Sequence, residues 1–228
     1  MNVVVIAPHP DDESIGCGGA LCRHADSGDR VTVVFITSGE LGLKHLAREA
    51  AWQIREAEAK AAGKILGIAE MRFLRQPDWI LAEVVQSAST AVAEILAAER
   101  PQLIYVPHPR EWHPDHKAAG EILKQALGIS GVSVSEIRGY EVWTPMSEYA
   151  VVVDITAVIP RKLEAIRCHA SQLGDFDYAH AAQSLNAFRG VLGAKVQFAE
   201  VFEQFSPGSA QACPAGNSVS TLKNSIIT

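Results

Sequence analysis

The chain has 228 residues, of which 48% are hydrophobic and 20% charged, and its net charge is −6. This composition predicts one soluble globular domain that is long enough to bury a full core. The acidic balance, without any Lys/Arg-rich run, argues against nucleic acid or an anionic membrane surface as the main partner. The N-terminal apolar run is too short for a signal peptide or a membrane span, so we expect a cytoplasmic protein.

The predicted elements alternate between strands and helices along the whole chain. Expected strands lie near residues 3–6, 31–36, 71–74, 103–106, 139–143 and 150–154, and expected helices near 20–25, 46–66, 81–98, 114–127, 160–169 and 179–192. This alternation predicts an α/β fold, a Rossmann-like three-layer sandwich with a mainly parallel sheet and helices on both faces. Residues 1–205 are expected to form a single domain. Residues 206–228, rich in Ser, Gly, Asn and Pro, are expected to form a loosely ordered tail.

Residues 3–19 join a β-branched strand to a polar loop and then to three glycines. In an open α/β sheet, ligands bind just beyond the carboxyl end of such a strand, where His9, Asp11 and Asp12 should lie. His and Asp are both good ligands for a divalent cation, zinc first among them. The alternative is a plain turn in which Asp12 or Ser14 caps the next helix.

A second polar motif, Glu-Trp-His-Pro-Asp-His, follows the fourth predicted strand at residues 111–116. Proline is favoured at the first helical position, so Pro114 puts His113 at the cap and His116 in the first turn. Residues three apart share a helix face, and both histidines should point toward the edge that carries the first motif. A lone His-x-x-His is weak support for a metal site. The support is stronger here because the first motif, with His9 and Asp12, is expected at the same edge of the sheet.

The second interpretation is a protein of a different class. A strand followed by glycines and a helix also occurs at the start of nucleotide-binding domains. The spacing does not fit it, because Gly-x-Gly-x-x-Gly would require a glycine where Leu21 stands.

The two motifs together resemble those of the LmbE/PIG-L family of zinc-dependent N-deacetylases. The resemblance runs in order over about residues 2–205, with one departure, Phe198, where the family commonly has Tyr. It rests on Ala-Pro-His-Pro-Asp-Asp-Glu at 7–13, His-Pro-Asp-His at 113–116, Arg-Glu-Ala-Glu at 55–58, Pro-Asp at 77–78, His-Ala-Ser-Gln at 169–172 and Ala-Glu-Val-Phe at 199–202.

The resemblance implies a zinc ion held by His9, Asp12 and His116, although such an oxygen and nitrogen site also accepts Fe²⁺ or another divalent ion. Asp11 matches the family's general base. His113, protonated, is implied to stabilise the oxyanion, and Asp115 is a candidate for holding that imidazole charged.

The implied activity is hydrolytic removal of an N-acetyl group from an N-acetylglucosamine-type sugar or conjugate, with a small-molecule substrate as the partner. Arg55, Asp78 and Trp112 are the candidate substrate-binding residues. Related proteins often form trimers or hexamers, which leaves a homo-oligomer as an expectation. The third interpretation is a family member that lost catalysis and acts as a metal-dependent binding module, but no predicted ligand or base is missing.

Overall fold

The computed structural model of the chain describes residues 1–174 and 176–205, and the backbone alone of residues 226–227. Its strands are β1 (Asn2–Ala7), β2 (Arg30–Thr37), β3 (Glu70–Gln76), β4 (Leu103–Pro107), β5 (Glu136–Tyr140), β6 (Val151–Asp154), β7 (Ala199–Phe205) and β8 (Ile226–Ile227). Its α-helices are α1 (Asp12–Asp26), α2 (Arg48–Leu66), α3 (Val85–Glu99), α4 (Pro114–Ser130), α5 (Ile159–Cys168), α6 (Ala170–Leu173) and α7 (Tyr178–Arg189). Apart from β8, the predicted tail at 206–228 lies outside the described residues.

The strands form one mixed sheet in the order β3-β2-β1-β4-β5-β7-β6-β8, and β7 runs antiparallel to both of its neighbours. The first five strands pair in parallel, with β1 between β2 and β4. Side chains alternate across a strand, so Val3 and Val5 enter one hydrophobic core while Val4 and Ile6 enter the other. The predicted α/β fold with a mainly parallel sheet and helices on both faces is confirmed.

Helix α1 begins at Asp12, earlier than the sequence predicted, and it contains the glycines that were expected to precede it. These glycines allow side chains from other elements to pack closely against the helix. A Cβ atom on Gly16 would lie 2.3 Å from the Tyr140 ring, and one on Gly19 would lie 2.6 Å from the Ile155 side chain. The glycines therefore do not form a phosphate-binding turn between strand and helix, which argues against the nucleotide-binding interpretation.

Other element boundaries also differ from those predicted. The strand expected at 139–143 lies at 136–140, and β7 was not predicted. The helix expected over 81–98 is divided into a 3₁₀ turn, Leu81–Glu83, and α3. A second 3₁₀ turn covers Glu40–Leu43, and a π turn, Gly190–Ala194, follows α7.

Two further findings concern the described part of the chain. Three of the four cysteines lie in it, and Cys17, Cys22 and Cys168 are free thiols there. No helix in this part is both long and apolar enough to cross a membrane.

Candidate metal and active site

The predicted site residues lie at the carboxyl ends of the parallel strands. Residues 8–13 follow β1, residues 38–40 follow β2, Asp78 follows β3, and residues 108–116 follow β4. This is the edge of an open α/β sheet at which ligands bind, because the strand ends and the loops after them converge there.

Asp12 lies between His9 and His116, and all three residues are buried. Its Oδ2 is 3.3 Å from His9 Nδ1, and its Oδ1 is 3.3 Å from His116 Nε2. Two atoms bound to one zinc ion in a tetrahedral site lie about 3.3 Å apart, which is the length of each of these two contacts, made by different oxygens of Asp12.

Several of the candidate ligand atoms are buried and have no hydrogen-bond partner. Among the described residues, Asp12 Oδ1 and both ring nitrogens of His116 have no hydrogen-bond partner, although almost no solvent reaches them. Unpaired buried polar atoms are costly, and a bound cation would satisfy Asp12 Oδ1 and His116 Nε2 together. The donor set of two imidazoles and one carboxylate is one that divalent ions accept.

The surroundings of His9 are strongly acidic. Its Nε2 lies 3.2 Å from Asp78 Oδ1 and 3.2 Å from Asp115 Oδ2. Burial lowers the pKa of His9, but hydrogen bonds to Asp115, Asp12 and Asp78 outweigh it, and the pKa is raised well above its ordinary value. This excess of carboxylates over fixed cations favours a positive ion at the site.

Two sets of side chains bring ligand atoms within 4.8 Å of one another in the described residues. One set is His9, His113 and His116, and the other is His9, Asp78 and Asp115. Each shares at least one residue with the predicted set of His9, Asp12 and His116, which is not itself one of the two, so the predicted ligand set stays a prediction.

His113 is the N-cap of α4, as predicted, but its environment differs from the expected one. Its Nδ1 accepts a hydrogen bond of 3.2 Å from the Asp115 backbone N–H. Burial, together with the positive charges of His9 and His116, lowers the pKa of His113 to about 4. The lowered pKa and this hydrogen bond favour a neutral imidazole that carries its proton on Nε2, and the protonated His113 expected from the sequence stays a prediction.

The Asp115 carboxylate has a different role from the expected contact with the His113 ring. It accepts hydrogen bonds from the backbone N–H groups of Trp79 (2.7 Å) and Leu81 (3.1 Å) and contacts His9 Nε2. The carboxylate thus joins the loop after β3 to the first motif. The charge of Asp115 also raises the pKa of His113, but burial and the charges of His9 and His116 lower it by more.

Asp11 combines an unusual backbone with a buried carboxylate. Its φ of 132° is one that residues with a side chain rarely adopt, and such conformations are concentrated at functional sites. Its backbone N–H donates to Glu13 Oε2 at 3.2 Å. Burial raises the pKa of the Asp11 carboxyl, Arg55 opposes the rise, Asp12 adds to it, and the result is about 6.

Arg55 lines the cleft, but much of its guanidinium is engaged within the protein, and its expected role of binding substrate stays a prediction. Its side chain is only 4% exposed. Nη1 donates to the Gly39 carbonyl oxygen (2.9 Å), and Nη2 donates to the Pro10 carbonyl oxygen (2.5 Å) and to Asp11 Oδ2 (3.0 Å). A Cβ on Gly39 would lie 2.1 Å from Nη1, so glycine is required for this approach. Arg55 thus clamps Asp11 and the residue before it.

The side chains described above open into a cleft of ≈ 370 Å³. All three predicted substrate residues line it: Arg55 and Asp78 are buried in its wall, and Trp112, 56% exposed, lies at its rim. Gln172, from the His-Ala-Ser-Gln motif, and Trp143 also line the cleft, together with three residues that the sequence prediction missed: Lys44, Trp79 and Tyr178.

Glu111 is a buried residue that the sequence prediction also missed. Its Oε1 accepts the backbone N–H groups of Val142, Trp143 and Thr144, and its Oε2 lies 3.7 Å from His116 Nδ1. A carboxylate behind a metal-binding imidazole orients the ring and raises its basicity. Its position in the second motif, five residues before His116, is the pattern that could have indicated it.

The fold and this site place the protein in the class of α/β domains that carry a His/Asp cluster at the carboxyl ends of their parallel strands. A further buried carboxylate, that of Asp11, lies beside the cluster. The family profile described as "PIG-L: GlcNAc-PI de-N-acetylase" matches residues 4–127, more than half of the chain. The chain belongs to the PIG-L (LmbE) family.

Relatives and solved structures agree with this assignment. A Bacillus anthracis protein named "Probable N-acetyl-alpha-D-glucosaminyl L-malate deacetylase 2" is 30% identical over 187 residues, which cover 75% of this chain and 81% of that protein. The N,N'-diacetylchitobiose deacetylase from Pyrococcus horikoshii is 27% identical, with a TM-score of 0.78 over 90% of this chain and 84% of that one. A conserved protein from Thermus thermophilus, TT1542, is 29% identical, with a TM-score of 0.79 over 95% of this chain and 99% of that one.

Proposed function

We propose that this protein is a metal-dependent hydrolase that removes the N-acetyl group from an N-acetylglucosamine-type sugar or conjugate. The observation that carries the proposal is the Asp12 carboxylate held 3.3 Å from both His9 and His116, with the Asp11 carboxylate beside it. His9, Asp12 and His116 would hold the ion. Zinc is the proposed metal, and Fe²⁺ is the alternative. When bound, a divalent ion supplies a Lewis acid and lowers the pKa of a coordinated water.

Asp11 is the proposed general base. It would take one proton from the attacking water while the water oxygen bonds to the acetyl carbon. The same proton then passes to the sugar nitrogen as the C–N bond breaks, so that the products are acetic acid and the free amine. Burial raises the pKa of Asp11 to about 6, above that of an exposed carboxyl group, which makes its carboxylate a stronger base.

His113 is the proposed donor to the carbonyl oxygen that becomes negative during the attack. Its Nδ1 is occupied by the Asp115 backbone N–H, which leaves the Nε2–H to donate. A neutral donor fixed in place before the reaction needs no change of protonation to stabilise the developing charge.

Arg55 is proposed as a positioning residue for Asp11 and not as a contact for substrate hydroxyls. Its guanidinium holds the Asp11 carboxylate and the Pro10 carbonyl oxygen in the conformation observed. Asp78 and Trp112 keep their proposed place at the substrate, since both line the cleft. The amino-sugar substrate class is supported by the names of the relatives, which are deacetylases of N-acetylglucosaminyl malate and of diacetylchitobiose.

The test combines metal analysis with a direct assay of amide hydrolysis. The purified protein is loaded with zinc or Fe²⁺ and incubated with N-acetylglucosamine, its methyl glycoside and diacetylchitobiose, and both acetate and free amine are measured. We expect equal amounts of the two products, no product after chelation, and recovery when the metal is restored. Asp12→Ala and His116→Ala should lose both metal and activity.

Two results would overturn the proposal and favour its alternatives. Full occupancy with metal and no hydrolysis of any acetylated amino sugar would favour a metal-dependent binding module. Absence of bound metal together with tight binding of a nucleotide would favour the nucleotide-binding interpretation.

A further inference from the structure

A second cavity of ≈ 290 Å³ lies next to the candidate active site, between α1, α7 and the loop after β5. Trp143 and Tyr178 belong to the walls of both cavities. Their ring centroids are 5.2 Å apart in an edge-to-face arrangement. The two cavities are therefore neighbours that share a wall made by these two rings.

The second cavity is lined mainly by apolar side chains: Ile15, Val142, Pro145, Ala181, Leu185 and Val201. They come from four separate parts of the chain, α1, the loop after β5, α7 and β7. Apolar walls of this kind gain binding energy by removing apolar ligand surface from water.

The polar side chains of this cavity are already engaged within the protein. Glu141 accepts hydrogen bonds from the Arg189 side chain and from the Met146 backbone N–H. It therefore has a charged partner inside the fold and gives little reason for a cationic ligand to enter.

Asn186 and Glu200 are engaged in the same way through a buried lysine. Lys162 Nζ donates to Asn186 Oδ1 at 2.8 Å and to Glu200 Oε1 at 2.7 Å. Glu200 also accepts the backbone N–H groups of Gly19 and Ala20. Because these polar groups already have partners within the protein, we expect a ligand to be recognised in this cavity mainly through apolar contacts.

We propose that the second cavity binds an apolar aglycone, an alkyl or aryl group attached to the amino sugar. This inference rests on the proposed deacetylase function and names its substrate class. The sugar would occupy the active-site cleft against Trp143 and Tyr178, whose faces suit the C–H surface of a sugar ring, and the aglycone would fill the cavity behind them.

The test compares two substrates that differ only in the aglycone, methyl and hexyl N-acetyl-β-glucosaminide, with the metal-loaded protein. We expect kcat/KM for the hexyl glycoside to exceed that for the methyl glycoside by about tenfold or more, because its extra methylene groups become buried. Ala181→Trp, at an exposed position that lines the cavity, is designed to obstruct it and should reduce this ratio to about one. Ser184→Trp lies on the same helix at an exposed position outside the cavity and should keep the ratio of the unmodified protein.

Each outcome separates this inference from the function on which it rests. Equal kcat/KM for the two glycosides, or an unchanged ratio in a folded Ala181→Trp protein, would overturn the apolar-aglycone site and leave the deacetylase intact. No acetate from either glycoside, or from any other acetylated amino sugar, would overturn the proposed function itself. Circular dichroism of both tryptophan variants verifies that they are folded.

Discussion

Asp12 Oδ1 and His116 Nε2 lie 3.3 Å apart inside the protein, and neither has a hydrogen-bond partner in the described part of the chain. The two residues come from separate motifs, one at the start of α1 and the other in the first turn of α4. The parallel pairing of β1 with β4 brings these two helix starts to one edge of the sheet. The proposed cation would bind to both of these atoms.

The first prediction concerns the proposed base. Asp11→Asn should retain stoichiometric metal and lower kcat by about 100-fold or more, because the amide keeps the size of the side chain but cannot take a proton. Metal content and acetate release are measured on the same sample. Asp26→Asn, a surface change, is the matched control and should keep the full rate. A near-normal rate for Asp11→Asn would show that another group moves the proton.

The second prediction separates two possible ligand sets. If His9, Asp12 and His116 hold the ion, His113→Ala should keep the metal and lower kcat by about 100-fold, the cost typical of losing one oxyanion donor. If the ion is held by the three histidines that lie together, the same variant should lose the metal. Metal content after dialysis distinguishes the two, and loss of the ion would contradict the proposed set.

The third prediction tests whether Arg55 positions Asp11 or binds substrate. Arg55→Ala should lower kcat by about 10- to 100-fold with little change in KM, because the base loses its clamp while the cleft keeps its substrate contacts. Arg55→Lys keeps the charge without the two-pronged guanidinium and should recover part of the rate. A rise in KM with kcat unchanged would instead assign Arg55 to substrate binding.

The fourth prediction is a pH dependence of metal affinity. Burial lowers the pKa of His116, but the Asp12 and Glu111 carboxylates raise it to about 9 in the metal-free protein. Below that pH the imidazole carries a proton, which an incoming ion must displace. Affinity for zinc should therefore fall about tenfold per pH unit for each proton displaced as the pH drops below 9.

Competition titrations with a metal indicator between about pH 6 and the His116 pKa of about 9 measure this dependence. An affinity that stays constant over that range would contradict a protonated His116 in the metal-free site. The His116→Ala variant, tested in parallel, gives the background from other residues.

The sequence predicted the sheet and the position of the site because both depend on local patterns. Buried β-branched strands locate β1, β2 and β4, and polar motifs directly after β1 and β4 must meet at one edge once the strands are parallel. Pro114 fixed the start of α4, so the cap position of His113 was also predicted correctly.

The features that the sequence did not predict depend on contacts between distant parts of the chain. Gly16 and Gly19 indicated a turn, but Tyr140 and Ile155 pack against them and require glycine within a helix. The inward direction of the Arg55 side chain depends on Gly39, and no local pattern indicates that approach. The contacts of Asp115 were missed for the same reason, since its partners follow β3, far away in sequence.

The proposed function depends on one divalent ion bound between His9, Asp12 and His116. Anomalous diffraction from a zinc-loaded crystal, recorded above and below the zinc absorption edge, would locate that ion. We expect one strong anomalous peak within bonding distance of these three side chains, with Asp11 beside it and not bound. A peak coordinated by His9, Asp78 and Asp115, or no peak at this edge of the sheet, would contradict it.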